Sequence, residues 1–520
     1  MMFGDWTPSS EGSEEDEEEE EKEVEDTTRL LTVRKTKSLC HLALESPDIL
    51  RAARAGVPLK RFGALMRSST GSDVARGEGE DCYNLSFAVM KINEFWSHSW
   101  HGPAWPKLAT LWLHYSSAGG ILGSLCGVMI ASTLMYWTRF LFAHASACLL
   151  HLMLGSIGFV IGLLLWDSGS CVFLDKICIS QSDPGLKAQG IASIGGFLRY
   201  SDCMLILWDP TYLTRTWCVF ELVGFAFLQK HIPNKRIVMR PTFQGAWVCV
   251  GMLLSFLYAV LFLGFVWTSV HFTLWEHFNV SAWVWLFWVG QMVCHLPIAC
   301  FSIPYIRSVA RDAASARKQL EGFSFEHAEC FCCSNNHRHP DTGHTIPCDR
   351  ETVKAALVSW FGSVEDAQHF LRISVLPNFV IRMSLSYRGA WIFSLPNSFA
   401  RIGMVAWLLL SGDVWHMDDD CVYGPAKTAW AELNGALMFP LLIEGYIVVA
   451  AGFKERASSW IADQALSLIC TIVILLLNGL LIQVPEMTKS VFGCGLRSFL
   501  AETTLLIIMT VIAYRQRLWA

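Results

Sequence analysis

The chain has 520 residues, 53% hydrophobic and only 17% charged, with 22 tryptophans and a positive mean hydropathy, a composition that predicts a multi-pass membrane protein. Its net charge of −6 is dominated by an acidic run at residues 11–26, so the charge names no partner and nucleic acid is not expected. The 18 cysteines argue against a secreted disulfide scaffold, because many lie in apolar helices and most others in segments expected in the reducing cytosol. The acidic N-terminus has no apolar core, so no signal peptide is expected.

Residues 1–81 read as a disordered tail, first acidic and then basic. Its basic part, with Leu30, Leu31, Leu50 and Leu59 interspersed, suits either a solvated tail or contact with anionic membrane lipid. Residues 82–116 carry a first strand at 92–100 and a helix at 105–115. Residues 117–137 and 141–166 are each long enough to cross a bilayer, at about 20 apolar residues, and neither has a polar face. They predict a transmembrane hairpin over 117–166, which returns the chain to the side it left.

The segment 167–243 holds the most regular soluble pattern. Val172–Leu174 is a short apolar run ending at Asp175, and a loop with Asp183, Pro184 and Gly185 follows. Ile191, Ile194, Phe197 and Leu198 sit at helical spacing, and residues 203–208 form a second strand-length run. Trp217, Phe220, Leu222 and Phe225 open another helix that carries Glu221, and residues 236–239 read as a fourth strand closed by Pro241. Two buried strands joined by an amphipathic helix predict a parallel βαβ unit.

The stretch YLTRTWCVFEL, residues 212–222, resembles the (Y/F)-x-x-S-x-W-C-x-x-E-L signature of Toll/interleukin-1 receptor (TIR) domains. ICISQSDPG, residues 177–185, resembles their second box, and NEFWSHSW, residues 93–100, their first. Three departures stand out: no basic residue precedes Asp183, Arg215 replaces the signature serine, and Trp96 is unusual in the first box. The resemblance implies a flavodoxin-like module of parallel strands wrapped by helices. It also implies that Glu221 could cleave NAD, with Ser97, His98, Trp100, Asp183, Gly185 and Trp217 as candidate NAD-binding residues. Many TIR domains act only by self-association, and the same module could do so here. The whole arrangement is similar to multi-pass proteins of unicellular algae that carry TIR-like modules.

Further along, 244–306 reads as a transmembrane pair whose outer loop holds the sequon Asn279-Val280-Ser281. Residues 307–390 form a cytosolic Cys/His-rich segment and helix, 391–514 four more spans, and 515–520 a cytosolic tail. The positive-inside rule then places both termini in the cytosol. The expected fold is thus an α-helical multi-pass membrane protein of about eight transmembrane helices, with an inserted cytosolic α/β domain, flavodoxin-like and TIR-like.

Three constellations carry chemistry. A carboxylate at Glu221 would stabilise the positive charge that develops as a glycosidic bond breaks. Cys330, Cys332, Cys333, His337, His339, His344 and Cys348 combine thiolates and imidazoles at a density that suits tetrahedral zinc. Of these, Cys330, Cys332 or Cys333, His337 and Cys348 are the expected ligands, and reduced or palmitoylated cysteines are the alternative. Arg401 and Glu444, on neighbouring expected spans, would form an intramembrane ion pair, unless Arg401 snorkels and Glu444 is protonated. Three functions stay open: a membrane-tethered signalling or scaffold protein, a membrane-bound NAD hydrolase, and a channel or transporter with a regulatory cytosolic domain.

Overall fold

The computed structural model describes residues 35–59, 63–67, 82–138, 144–271 and, with short gaps, 302–375 and 449–482, besides a few isolated positions. The chain opens with β1 (Arg51–Arg54), β2 (Phe87–Ala88) and β3 (Ile92–His98). A helical hairpin, α1 (Ala104–Thr138) and α2 (His144–Leu165), precedes β4 (Cys171–Phe173). Then come α3 (Pro184–Ala192), α4 (Ile194–Arg199), β5 (Ser201–Trp208), α5 (Thr216–His231) and β6 (Arg236–Pro241). The remaining long elements are α6 (Phe243–His271), α7 (Asp349–Phe361), α8 (Val364–Phe370) and α9 (Trp460–Ile482). Two compact units result: Met1–Pro103 with Gly169–Arg240 and Arg317–Phe379, and Ala104–Ser168 with Pro241–Ala316 and Val380–Ala520.

The first unit is built on a six-stranded sheet of order β2-β1-β4-β3-β5-β6. β3 runs parallel to β4 and β5, with Phe95 in register with Phe173 on one side and Met204 on the other. β5 is buried along nearly its whole length, which explains its unbroken apolar sequence. Asp183 caps α3 by accepting from Leu186 N, and Pro184 supplies a first-turn residue that needs no partner for an N–H. On α5, Phe220 and Phe227 pack against Trp360 of α7 at 5.4 and 5.8 Å between ring centroids. The Trp360 indole in turn donates to Cys40 O at 2.7 Å. The Cys/His-rich segment and the chain around residue 40 therefore belong to the same unit as the sheet.

The second unit contains the α1–α2 hairpin. Gly119, Gly123 and Gly127 recur every fourth residue on α1, where Gly119 meets Gly162, Gly123 meets Gly158 and Gly127 meets the backbone of Leu154 and Gly155 of α2. A Cβ on Gly123 would lie 2.1 Å from Gly158 O, and one on Gly158 would lie 2.1 Å from Gly123 O, so the backbones touch and only glycine fits. Elsewhere in this unit the fully buried Arg307 donates to Phe453 O, Asp463 O, Ser467 Oγ, Glu455 O and Asp463 Oδ1, which ties the turn before α9 in place.

These observations correct the expected fold class. Among the described residues one helix, Ala104–Trp137, with 34 residues, is long and apolar enough to cross a membrane. The apolar stretches of Leu150–Leu165, Phe243–Leu253 and Trp460–Val473 are shorter, so an eight-span α-helical architecture does not stand. Much of the apolar composition instead serves strands and helices buried on both faces, as in β5 and α5. The expected spans at 281–306, 391–410, 431–451 and 499–513 lie wholly or largely outside the described residues, as do Arg401, Glu444 and Asn279. Nor is the sheet the parallel, flavodoxin-like one expected. It is mixed, because β1 and β2 pair antiparallel at its β4 edge. The tail expected over 1–81 thus gives way to folded chain from Lys35, with Leu39, Leu42, Ile49 and Leu50 buried, while residues 1–32 lie outside the described residues.

Candidate functional site

In the order β4-β3-β5-β6 the chain steps to one side of β3 and then to the other. Ligands of open α/β sheets bind outside the carboxyl ends of the strands at such a reversal. The residues gathered there come from β3, from the turn after β4, from the loop after β5 and from the second turn of α5.

Ser97, the penultimate residue of β3, donates from Oγ to Glu221 Oε2 at 2.6 Å. The same Oγ lies 2.7 Å from the Tyr212 hydroxyl, which reaches Cys218 O at 3.2 Å. Burial pushes the Glu221 carboxyl up to about 8; the Ser97 hydroxyl acts against the rise, and the Asp175 charge adds to it. Glu221 nonetheless keeps part of its surface open, whereas Ser97 and Tyr212 are fully enclosed. The hydroxyls carry one proton each, so the ionisation of Glu221 sets the direction of the chain. An ionised carboxylate draws the Ser97 proton, and Tyr212 then donates to Ser97. A protonated carboxyl can itself donate to Ser97, which frees the Tyr212 proton for Cys218 O.

Beside this chain, Trp100 Nε1 donates to Asp175 Oδ2 at 2.9 Å, and the His98 ring stands edge-on to Trp100 at 4.5 Å. Burial raises the Asp175 carboxyl above the usual range against the pull of the Trp100 bond. At the end of β5, Asp209 Oδ1 accepts from Thr211 N at 2.8 Å, and Thr211 Oγ1 reaches Ser99 Oγ at 2.7 Å. The loop after β3 passes so close that a Cβ on Gly102 would lie 1.9 Å from Asp209 Oδ2, so a larger residue there would have to displace that carboxylate.

Of the NAD-binding candidates, Ser97, His98 and Trp100 thus share the β3 end, and Ser97 joins Glu221 directly. Asp183 and Gly185 are exposed, and Asp183 Oδ1 serves its own helix. Trp217 turns to other partners: its indole donates to Asp349 Oδ2 at 3.1 Å, and Lys35 Nζ lies 5.0 Å from its ring centroid. Tyr212 and Asp175 were not among the candidates. Tyr212 opens the quoted signature and Asp175 ends the apolar run of β4, but neither position reveals its partner across the sheet.

A second cluster forms where the chain curls after the single turn Phe331–Ser334. Asn336 and His337 adopt φ of 51° and 57°, and His337 N donates to Cys332 O at 2.7 Å, which folds the imidazole back toward the thiols. One ligand atom each from Cys332, Cys333, His337 and Cys348 lies within 4.8 Å of the others, so these four could hold a metal ion. The Sγ separations Cys332–Cys333 and Cys333–Cys348 are both 3.9 Å. Tetrahedral zinc with Zn–S of about 2.3 Å requires sulfurs about 3.8 Å apart. Cys330, an expected ligand, lies 3.2 Å from Cys332 and groups with Cys332 and Asp349. Burial opposes ionisation of Cys332, yet hydrogen bonds from Cys330 and from Asp349 N hold its thiol below the usual value. For Cys330, burial and the same neighbour push the thiol up to about 12. His339 and His344 lie outside the described residues.

No protein-family model, no curated protein and no solved structure matches the chain.

Proposed function

We propose that the first unit is a TIR-like module that binds NAD at the β3 end and cleaves its nicotinamide–ribose bond through Glu221. The observation that carries this reading is the 2.6 Å contact between Ser97 and Glu221, whose carboxyl burial pushes up to about 8. A carboxyl held neutral in the free protein is suited to a cationic ligand. Nicotinamide is positively charged in NAD, and an opposite charge within about 4–6 Å lowers a carboxyl pKa by 1–3 units. Binding would then ionise Glu221 and set the carboxylate where charge develops on the ribose as the bond breaks. Trp100, held by Asp175, offers an aromatic wall for the nicotinamide ring.

The purified full chain is expected to release nicotinamide from NAD, and Glu221→Ala to abolish release while leaving the thermal transition in place. NAD binding is expected to expel about one proton, seen in calorimetry as an enthalpy that varies with the buffer. A wild type that neither binds nor cleaves NAD ends the enzyme reading. The unit would then stand as an interaction module that works by self-association, the reading the same resemblance allows.

We further infer that the second cluster holds one structural zinc on Cys332, Cys333, His337 and Cys348. Mixed sulfur and nitrogen donors and the 3.9 Å sulfur spacing support zinc over oxygen-seeking cations. Elemental analysis should give about one zinc per chain, and Cys348→Ser should remove it. A zinc-free wild type would sink the assignment.

A further inference from the structure

We propose that the metal centre regulates the Glu221 site, because the loop it closes clasps the first turn of α5 at both of the loop's ends. The proposal rests on the zinc and NAD readings above and adds a link between them.

Glu329 lies three residues before Cys332, the first of the four metal ligands. Its N–H donates to Thr214 O at 2.6 Å and its carbonyl accepts from Thr216 N at 3.1 Å, so it answers one of the backbone donors that a helix start leaves open. Asp349 immediately follows the cluster. Its N–H donates to Cys332 Sγ at 3.3 Å, and its carboxylate accepts from the Trp217 indole at 3.1 Å and pairs with Lys35 at 2.6 Å. One end of the metal loop thus grips residues 214–216 and the other grips Trp217.

From Trp217 the contacts run straight into the site. Its neighbour Cys218 donates from Sγ to His98 O at 3.4 Å and accepts the Tyr212 hydroxyl at its own carbonyl. Tyr212 meets Ser97, and Ser97 meets Glu221. Between a metal thiolate and the candidate catalytic carboxyl, the path runs through hydrogen bonds at Asp349, Trp217, Tyr212 and Ser97 and through the peptide bond that joins Trp217 to Cys218. A metal held by Cys332, Cys333, His337 and Cys348 ties residues 332 and 348 together, and with them the two clasps. Without it, only the Arg350 bond to Ala328 O at 2.8 Å and the Asp349 N contact to Cys332 Sγ hold the two ends of a loop of about 20 residues together, and they would act on α5 less firmly as a pair. A test of this link reads both sites independently.

Hydrogen exchange on the zinc-loaded and chelator-stripped full chain provides it. Removal of zinc is expected to speed exchange about tenfold at residues 214–218 and at 97–98, while β5 keeps its protection. Trp217→Phe keeps an aromatic ring and every metal ligand but cannot donate to Asp349. It is expected to retain one zinc per chain and to show the same faster exchange at 97–98, and to weaken NAD binding about tenfold. Exchange confined to 330–348 on stripping would overturn the proposal, as would a Trp217→Phe protein that exchanges like the wild type. So would loss of protection throughout β5, since the metal would then be a folding element and not a regulator. If NAD does not bind but the exchange pattern holds, the link stands and only the NAD reading falls.

Discussion

Glu221→Gln isolates the ionisation of one carboxyl without changing its shape. In the native protein burial raises this group from 4.5 to about 8, so the folded state binds its proton more tightly than the unfolded chain does. Stability from this group is therefore complete below the unfolded value, declines as pH rises from about 5 to 8, and is lost above the folded value. A rise of this size corresponds to a ceiling of about 5 kcal/mol at 1.36 kcal/mol per pH unit. Glu221 is only half-buried and water screens part of that penalty, so we expect about 2 kcal/mol. The amide keeps a carbonyl to accept from Ser97 and does not titrate. Denaturant unfolding of wild type and variant at pH 5 should give similar stabilities, and at pH 8.5 the variant should be about 2 kcal/mol the more stable. Groups that do not feel the Glu221 charge are common to both proteins and cancel in the difference. A difference that stays flat from pH 5 to 8.5 would show that Glu221 is not held protonated, and the chemical reading of the site would go with it.

Ser97→Ala removes the hydroxyl shared by Glu221 and Tyr212 and should cost about 1–2 kcal/mol in unfolding experiments. It should also shift the Glu221 pH transition upward, since the lost bond favours the ionised form. Gly158→Ala sets a Cβ against Gly123 O and should cost about 3 kcal/mol or force the hairpin apart. Gly452→Ala, with nothing within 4 Å, should change stability by less than about 0.5 kcal/mol, and thermal melts of both glycine variants check the contrast. Arg307→Lys keeps the charge but cannot satisfy five acceptors with one ammonium, so a loss of about 3 kcal/mol or more is expected in denaturant titration.

Sequence alone determined what depends on near neighbours. The apolar runs that became β3, β4, β5 and β6 were legible because each is short, strand-length and ended by a polar or turn residue. Asp183-Pro184 announced the start of a helix because capping is settled within four residues. The metal donors were legible as a set because they lie within 20 residues of one another. Tertiary structure decided everything that a distant partner had to supply. Residues 51–54 read as part of a basic tail, and only the exposed edge of β4 made them a strand. Composition could not separate apolar segments that pack on protein from those that would face lipid, because both environments favour the same side chains. Trp217 looks like a nucleotide-site residue in its motif, yet Asp349, 132 positions away, draws its indole to the metal loop. Glu221 acquires its chemistry from Ser97, 124 positions upstream, and from a burial that no local pattern encodes. A pKa shift is the free energy of an environment, and that environment exists only once strands far apart in the chain lie side by side.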